Sequence, residues 1–318
     1  MSILQHCLPH HAISIFAGWL ANSTIPWLKN FLIRYFLWRY TVNMTEAEQP
    51  DPFAYPSYNA FFTRTLKAEA RPLAQGVHDV ISPVDGYVGE FGPIHNAQLI
   101  QAKGQTFTVD ELLGVPSNLA GFADSAAASL LDKAARRKET HCYDGWHRQD
   151  QETVIQQAAR FKQGSFITLY LAPHNYHRVH MPFEGHLSQM IYIPGRLFSV
   201  DFKTCATVPR LFARNERVVA LFETAVGQMA VIFVGAMIVG SIETVWAGTV
   251  GRSPVAEGPQ YWSHSSSVYF KKGEELGLFR LGSTVIVLFE HQTLAFEAML
   301  GPTHPLCMGQ KIATLKPL

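Results

Sequence analysis

The sequence predicts an α+β fold: amino-terminal helices followed by a mainly antiparallel β core with a helical insertion. Three observations carry that expectation. The first 45 residues are apolar and aromatic and contain no Asp or Glu. From Val80 onward, short β-branched and aromatic runs alternate with Gly and Pro. Residues 115–163 then interrupt the β pattern with an alanine-rich, charged stretch. A chain of 318 residues with 47% apolar content can bury a full core.

The amino-terminal stretch holds Trp19, Trp27 and Trp38 and the cations Lys29, Arg34 and Arg39. Its apolar run from His11 to Leu28 is broken by Asn22, Ser23, Thr24 and Pro26, too early for a transmembrane helix of about 20 apolar residues. No basic segment precedes a compact apolar run with a small-residue cleavage site, so it does not read as a secretory signal. The expectation is a pair of interfacial helices broken near Pro26, over residues 1–50, with aromatics at headgroup depth and cations facing anionic lipid. An amphipathic helix packed on its own domain is the plainer alternative.

Residues 51–318 form the second expected unit. Asp51-Pro52 and Tyr55-Pro56 mark the connection, and Ser57–Leu66 is an expected helix with Phe61, Phe62 and Leu66 on one side. Strands are expected at Tyr87–Phe91, Phe166–Leu171, Leu187–Tyr192, Val218–Glu223, Ala230–Val234, Met237–Trp246 and Thr284–Phe289. Thr108 and Glu111 have capping-box spacing, and Gly114 is placed to end the short helix they start. The insertion 115–163 contains a helical stretch Ala126–Ala135 and a charged run Lys133–Glu139.

Composition excludes several function classes. With 26 basic and 25 acidic residues and no basic stripe, nothing points to nucleic acid. Cys7, Cys142, Cys205 and Cys307 lie far apart without CxxC spacing, which fits packing roles in a reducing compartment.

Three segments could carry chemistry. In Ser82-Pro83-Val84-Asp85-Gly86, Pro83 and Gly86 bracket a turn that holds Asp85 at a strand start, where a carboxylate can orient another group. His174, His177 and His180 recur every third residue just beyond an apolar strand. Were this segment extended, His177 and His180 would face opposite sides and serve different tasks. The spacing does not suit a zinc site and no carboxylate or cysteine pattern completes one, so no metal is expected. Gly282-Ser283 before the run Val285–Phe289 would alone be a turn, but one Asp, a His pair and one Ser are the parts of a charge-relay nucleophile.

Taken together, the chain resembles the bacterial phosphatidylserine decarboxylase proenzymes. The resemblance runs through Phe61-Phe62-Thr63-Arg64, Ser82–Gly86, Tyr176–Pro182, Leu211–Arg217, Val234–Trp246 and Leu281–Thr284, in one order. Residues 115–163 are longer than in the family's short members, and the resemblance assigns them no role. It implies that Asp85 polarises His180, which takes the proton of Ser283 so that its oxygen attacks the Gly282 carbonyl. Cleavage between 282 and 283 would leave chains 1–282 and 283–318, which stay associated, with a pyruvoyl group made from Ser283 opening the second. That group would form a Schiff base with the serine amine of phosphatidylserine, and His177 would donate the proton after carbon dioxide leaves. The implied product is phosphatidylethanolamine, and the implied location is the cytoplasmic side of the cell membrane, peripherally attached. Self-association is not decided by the sequence.

Two rivals remain. The same chemistry on a soluble amino acid conflicts with the Trp-rich, acid-free amino terminus. A lipoyl-type carrier, suggested by Ser82–Gly86, would need a modifiable lysine at a hairpin tip, and none stands out.

Overall fold

The computed structural model describes residues 10–115, 146–148, 151–236, 242–250, 259–280, 283–290 and 294–316. The expected helix Ala126–Ala135, the run Lys133–Glu139, Cys7, Cys142 and Gly282 lie outside these residues. Two helices open the chain, α1 (His10–Ala21) and α2 (Pro26–Arg39), the second with Pro26 at a first-turn position, where its missing N–H costs nothing. The buried face of α2 sets Ile33 and Phe36 against Tyr55, Phe61 and Phe62, the last two in α3 (Tyr58–Phe62). Its other face exposes Trp27, Phe31, Tyr35 and Trp38, and α1 exposes Phe16 and Trp19. No helix among the described residues is long and apolar enough to cross a membrane.

Helix α3 ends earlier than the expected Ser57–Leu66. Ser57 caps it by accepting from the Ala60 N–H at 3.1 Å, and the Thr63 hydroxyl bonds back to the Asn59 carbonyl at 2.8 Å. Leu66 is then drawn into a bridge with Ala47.

The β core begins with β1 (Asp79–Ile81), β2 (Gly86–Pro93) and the hairpin β3 (Gln98–Ala102) and β4 (Gln105–Thr108). Helix α4 (Val109–Leu113) follows with the full expected cap, Thr108 and Glu111 bonding reciprocally and Gly114 closing at φ 75°. Then come β5 (Trp146–Arg148), α5 (Gln151–Phe161), β6 (Ser165–Leu171), β7 (Arg178–His180), β8 (Gly185–Ile193), α6 (Phe202–Cys205) and α7 (Leu211–Arg214). The remainder is β9 (Arg217–Thr224), β10 (Gly227–Val234), β11 (Ile242–Thr244), β12 (Gly248–Val250), β13 (Gln260–Phe270), β14 (Glu275–Phe279), β15 (Ser283–Phe289), β16 (Leu294–Phe296), β17 (Pro305–Leu306) and β18 (Lys311–Leu315). Of the expected strand Met237–Trp246, only Ile242–Thr244 is a described strand, and residues 237–241 lie outside the described set.

The strand pairings are antiparallel. The main sheet runs β17-β2-β6-β15-β10-β9-β8-β13-β5, and a second runs β12-β11-β14-β7. One apolar layer lies between them, with Val285, Val287 and Phe233 meeting Val179, Leu276 and Phe279. The opposite face of the main sheet, through Ile286 and Leu288, is covered by α4 and α5 via Leu112, Leu113, Val154 and Phe161. Strand β15 sits between β6 and β10, and every one of its residues is buried. Its Val-Ile-Val-Leu-Phe run is the continuous apolar pattern of a strand covered on both faces.

Candidate active site

One end of the main sheet gathers the chemistry. Ser283, the first residue of β15, pairs with Leu171 at the end of β6. Extending the β2–β6 register by one residue sets Gly86, the neighbour of Asp85, beside Leu171. On the other side, the β10–β15 register carried one residue past Val234↔Thr284 sets Gly235 opposite Ser283, and the Gly235 N–H bonds the Glu216 carbonyl at 2.8 Å. Asp85, Ser283 and Glu216 thus stand along one row of adjacent strand ends.

Strand β7 brings the histidines over this row from the second sheet. The His180 N–H bonds the Pro83 carbonyl at 2.8 Å, tying β7 to the Asp85 turn, and the Phe279 N–H bonds the His177 carbonyl at 3.0 Å, four residues before Ser283. Leu171 pairs with Ser283 at the other end of the same connection, so Leu171 and His177 are held by Ser283 and Phe279 respectively.

The Ser283 hydroxyl is fully buried and has no hydrogen-bond partner. His177 is likewise buried. Its Nδ1 lies 2.8 Å from the Asn175 carbonyl, which can only accept, so Nδ1 carries the proton and Nε2 keeps a lone pair. That Nε2 has no partner. Burial, opposed in part by the Asn175 hydrogen bond, pushes the His177 imidazole down to about 3, and the charge of Arg64 adds to the shift. The Phe62 ring lies against it at 4.1 Å between centroids.

His180 is held at both nitrogens. Nδ1 donates to the Gly273 carbonyl at 2.8 Å, so Nε2 accepts from the Tyr176 hydroxyl at 3.0 Å. Burial again favours the neutral ring. Asp85 accepts from Arg71 through Nε at 2.8 Å and Nη2 at 2.6 Å, and from the Met308 N–H at 2.8 Å. The predicted relay residues are therefore neighbours, but no hydrogen bond joins Asp85 to His180 or His180 to Ser283. Arg71 satisfies the carboxylate as a bidentate fork, and Tyr176 occupies the ring nitrogen nearest free.

A groove of about 500 Å³ runs between the amino-terminal helices and this sheet end, lined by Leu20, Leu32, Phe36, Tyr58, Pro173 and Ala236 among others. Ala236 and Pro173 lie just past Gly235 and Leu171 respectively, so the groove ends beside the Ser283 row. Its walls are mainly apolar.

Arg71, Tyr176, Arg64 and Glu216 were not assigned functions from sequence, although Arg64, Tyr176 and Glu216 fall in segments that carry the family resemblance. Glu216 stands across side-chain-free Gly235 from Ser283, and burial raises its carboxyl to about 7 against a Tyr192 hydrogen bond that lowers it. Within Leu211–Arg217, Asn215 and Arg217 spend their donors on backbone carbonyls, the first on Phe198 and Gly235, the second on Glu111, Leu112, Ala213 and Asn215. That burial of polar residues in one short motif is the signal that could have singled it out.

A family model described as phosphatidylserine decarboxylase matches residues 58–314, and one described as PSD matches residues 2–41. The chain is 43% identical over 316 residues to a phosphatidylserine decarboxylase proenzyme of Coxiella burnetii (strain RSA 493 / Nine Mile phase I), covering 99% of this chain and 98% of that protein. It is 42% identical to the like-named protein of Stutzerimonas stutzeri, covering 98% and 92%, and 44% identical to that of Pseudomonas aeruginosa (strain LESB58), covering 98% and 96%.

Proposed function

The chain belongs to the phosphatidylserine decarboxylase family, and on that premise we propose that Ser283 is where it cuts itself and where its catalytic group arises. The enzyme is a carboxy-lyase made as a proenzyme, converting phosphatidylserine to phosphatidylethanolamine and carbon dioxide. The observation that carries the site assignment is a buried serine hydroxyl without a partner at the head of β15, paired with Leu171 in the same connection that ends at His177, a buried histidine whose Nε2 lone pair is also without a partner. Unpartnered buried polar atoms are costly and mark places where chemistry rather than packing decides the residue.

In self-cleavage, the Ser283 Oγ attacks the carbonyl carbon of Gly282 as its proton passes to a histidine. The peptide nitrogen takes a proton and leaves, which turns the amide into an ester. Loss of the Ser283 α-proton then expels Gly282 as a carboxylate, and water removes the nitrogen as ammonia, leaving a keto group. His180 is the assigned base, with its tautomer fixed by the Gly273 carbonyl; Tyr176 must yield its hydrogen bond or relay the proton. Asp85, held by Arg71, is one of the charges that face His180, whose ring burial keeps toward the neutral form.

A pyruvoyl group fits at position 283: it is smaller than serine and would open a fully buried strand, where the Ser283 hydroxyl it replaces has no hydrogen-bond partner to lose. When present it supplies the electron-accepting carbonyl that an amino-acid side chain cannot. His177 holds or moves the proton at the carbon that loses carbon dioxide, and the apolar wall of Phe62 keeps water from that nitrogen.

The substrate stays in a bilayer, so the enzyme must meet it there. Trp19, Trp27, Phe31 and Trp38 are exposed on α1 and α2, beside Lys29, Arg34 and Arg39, a face suited to peripheral contact with anionic lipid on the cytoplasmic side. Residues 1–50 accordingly act as the membrane unit and 51–318 as the decarboxylase unit. The test compares carbon dioxide release from phosphatidylserine vesicles and from free serine. A kcat/KM at least roughly 100-fold higher for the lipid is expected; equal values would move the substrate to a soluble amino acid.

A further inference from the structure

Arg64 leaves the end of α3 as a cation that no step of self-cleavage uses. It is 4% exposed, yet its guanidinium makes one hydrogen bond, from Nη2 to the His174 carbonyl at 3.3 Å. Nε and Nη1 are buried without a partner. A buried guanidinium ordinarily fills its donors with a carboxylate, because an unpaired charge in the interior is strongly unfavourable. Here the carboxylates whose charge reaches Arg64, Asp85 and Glu46, are already engaged by Arg71.

The position is as telling as the vacancy of its donors. The charge of Arg64 reaches both His174 and His177. His174 in turn lies tilted near Tyr40, at 6.2 Å between ring centroids, and Tyr40 and Pro173 line the apolar groove. Arg64 therefore sits beside His174 and His177, with Tyr40 and Pro173 of the groove wall next to His174.

We propose that Arg64 binds the phosphodiester of the lipid headgroup, an inference that rests on the lipid-decarboxylase reading. The headgroup offers two anions, a carboxylate and a phosphodiester, and both match the planar fork of arginine. They differ in what the reaction does to them. The carboxylate departs as neutral carbon dioxide, so a guanidinium clamped on it would stabilise the ground state more than the transition state and oppose the chemistry. The phosphodiester keeps its charge throughout, and holding it fixes the amine end of the headgroup at position 283 without raising the barrier. Arg64 is then what separates a phospholipid from free serine.

The experiment uses the Ser283→Ala chain, which cannot turn substrate over, and soluble dihexanoyl lipids titrated by calorimetry. Phosphatidylserine and phosphatidylethanolamine should bind within a few-fold of each other, and dihexanoylglycerol at least tenfold more weakly. Adding Arg64→Gln should weaken both phospholipids tenfold or more, and Arg64→Lys, which keeps the charge but not the fork, should fall between. Thermal melting of each variant reports whether the fold survives. Binding of phosphatidylserine with none of phosphatidylethanolamine would assign the site to the carboxylate and overturn the proposal, as would equal binding of all three lipids or of none. A folded Arg64→Gln chain with unchanged affinities would overturn it too. The decarboxylase reading fails separately, when the wild-type chain neither cuts itself nor releases carbon dioxide.

Discussion

His177 and His180 share a neutral, Nδ1-protonated tautomer and differ in the other nitrogen: that of His180 receives the Tyr176 hydroxyl, and that of His177 receives nothing. The difference divides their labour. Ser283→Ala should remain a single chain on a denaturing gel. His177→Ala should still be cut but lose roughly 10²-fold or more in kcat, the usual value of a positioned acid or base. A gel with His177→Ala uncut and His180→Ala processed would exchange the two roles. Burial also makes both histidines sensors of acid. A folded-state pKa below the unfolded value means the unfolded chain binds protons that the native chain refuses, so the stability is present above about pH 6.5 and declines as pH falls toward 3. For His177 alone the loss between about pH 7 and about pH 4.5 is on the order of 3 kcal/mol. Urea unfolding at both pH values should show it, and His177→Gln should flatten the slope; an unaltered slope in that variant would remove His177 as its source. Asp85, His177, His180 and Ser283 were legible in the sequence because their types form a chemical set in the family's order. Arg71, Tyr176 and Arg64 were not, since what they hold or fail to hold depends on strands brought together only by folding.

Among the elements, β15 was readable because Val285–Phe289 is an unbroken apolar run, and β2 because the Pro83–Gly86 turn announces it. The long strand β13 was missed: its centre, Ser263-His264-Ser265-Ser266-Ser267, looks like a loop, and the strand is set by pairing of its flanks, Gln260–Ser263 and Val268–Phe270 with β8 and Trp262–His264 with β5. Gly86 shows how closely the site depends on strand spacing, since a Cβ there would stand 2.4 Å from the Tyr170 carbonyl oxygen. Gly86→Ala should push β2 from β6, cost about 2–4 kcal/mol and slow self-cleavage by displacing Asp85, all measurable by melting and by gel. The exposed face of α1 and α2 carries a different expectation. Replacing Trp27, Phe31 and Trp38 together with Ser should lower vesicle binding roughly tenfold or more while leaving self-cleavage intact. Such a triple variant is a cleaner probe than removing residues 1–45, because Ile33 and Phe36 pack on Phe61 and Phe62, and Phe62 touches His177. Undiminished flotation with vesicles would detach these helices from membrane contact.

Over the whole molecule, residues 283–318 are woven through two sheets: β15 and β17 in the main sheet, and β16 and β18 with β1 in a three-stranded one. The five apolar side chains of Val285–Phe289 alone, all buried, contribute on the order of 10 kcal/mol toward keeping this segment in place. Two fragments produced at Gly282 should consequently co-elute on a sizing column and separate only in denaturant. The α+β class and the order of its parts could be read from hydrophobic periodicity. How the second sheet carries β7 over the Ser283 row could not, because β7 pairs with β14, a strand about a hundred residues away. The central claim is that one residue serves first as nucleophile and afterwards as the source of the catalytic carbonyl. Intact mass spectrometry of the purified wild-type protein tests it most directly. Two fragments are expected, residues 1–282 ending in a free Gly282 carboxylate and residues 283–318 with a blocked first residue whose mass has lost the serine nitrogen as ammonia. A single full-length chain, or a fragment beginning with an unmodified Ser283, would contradict it.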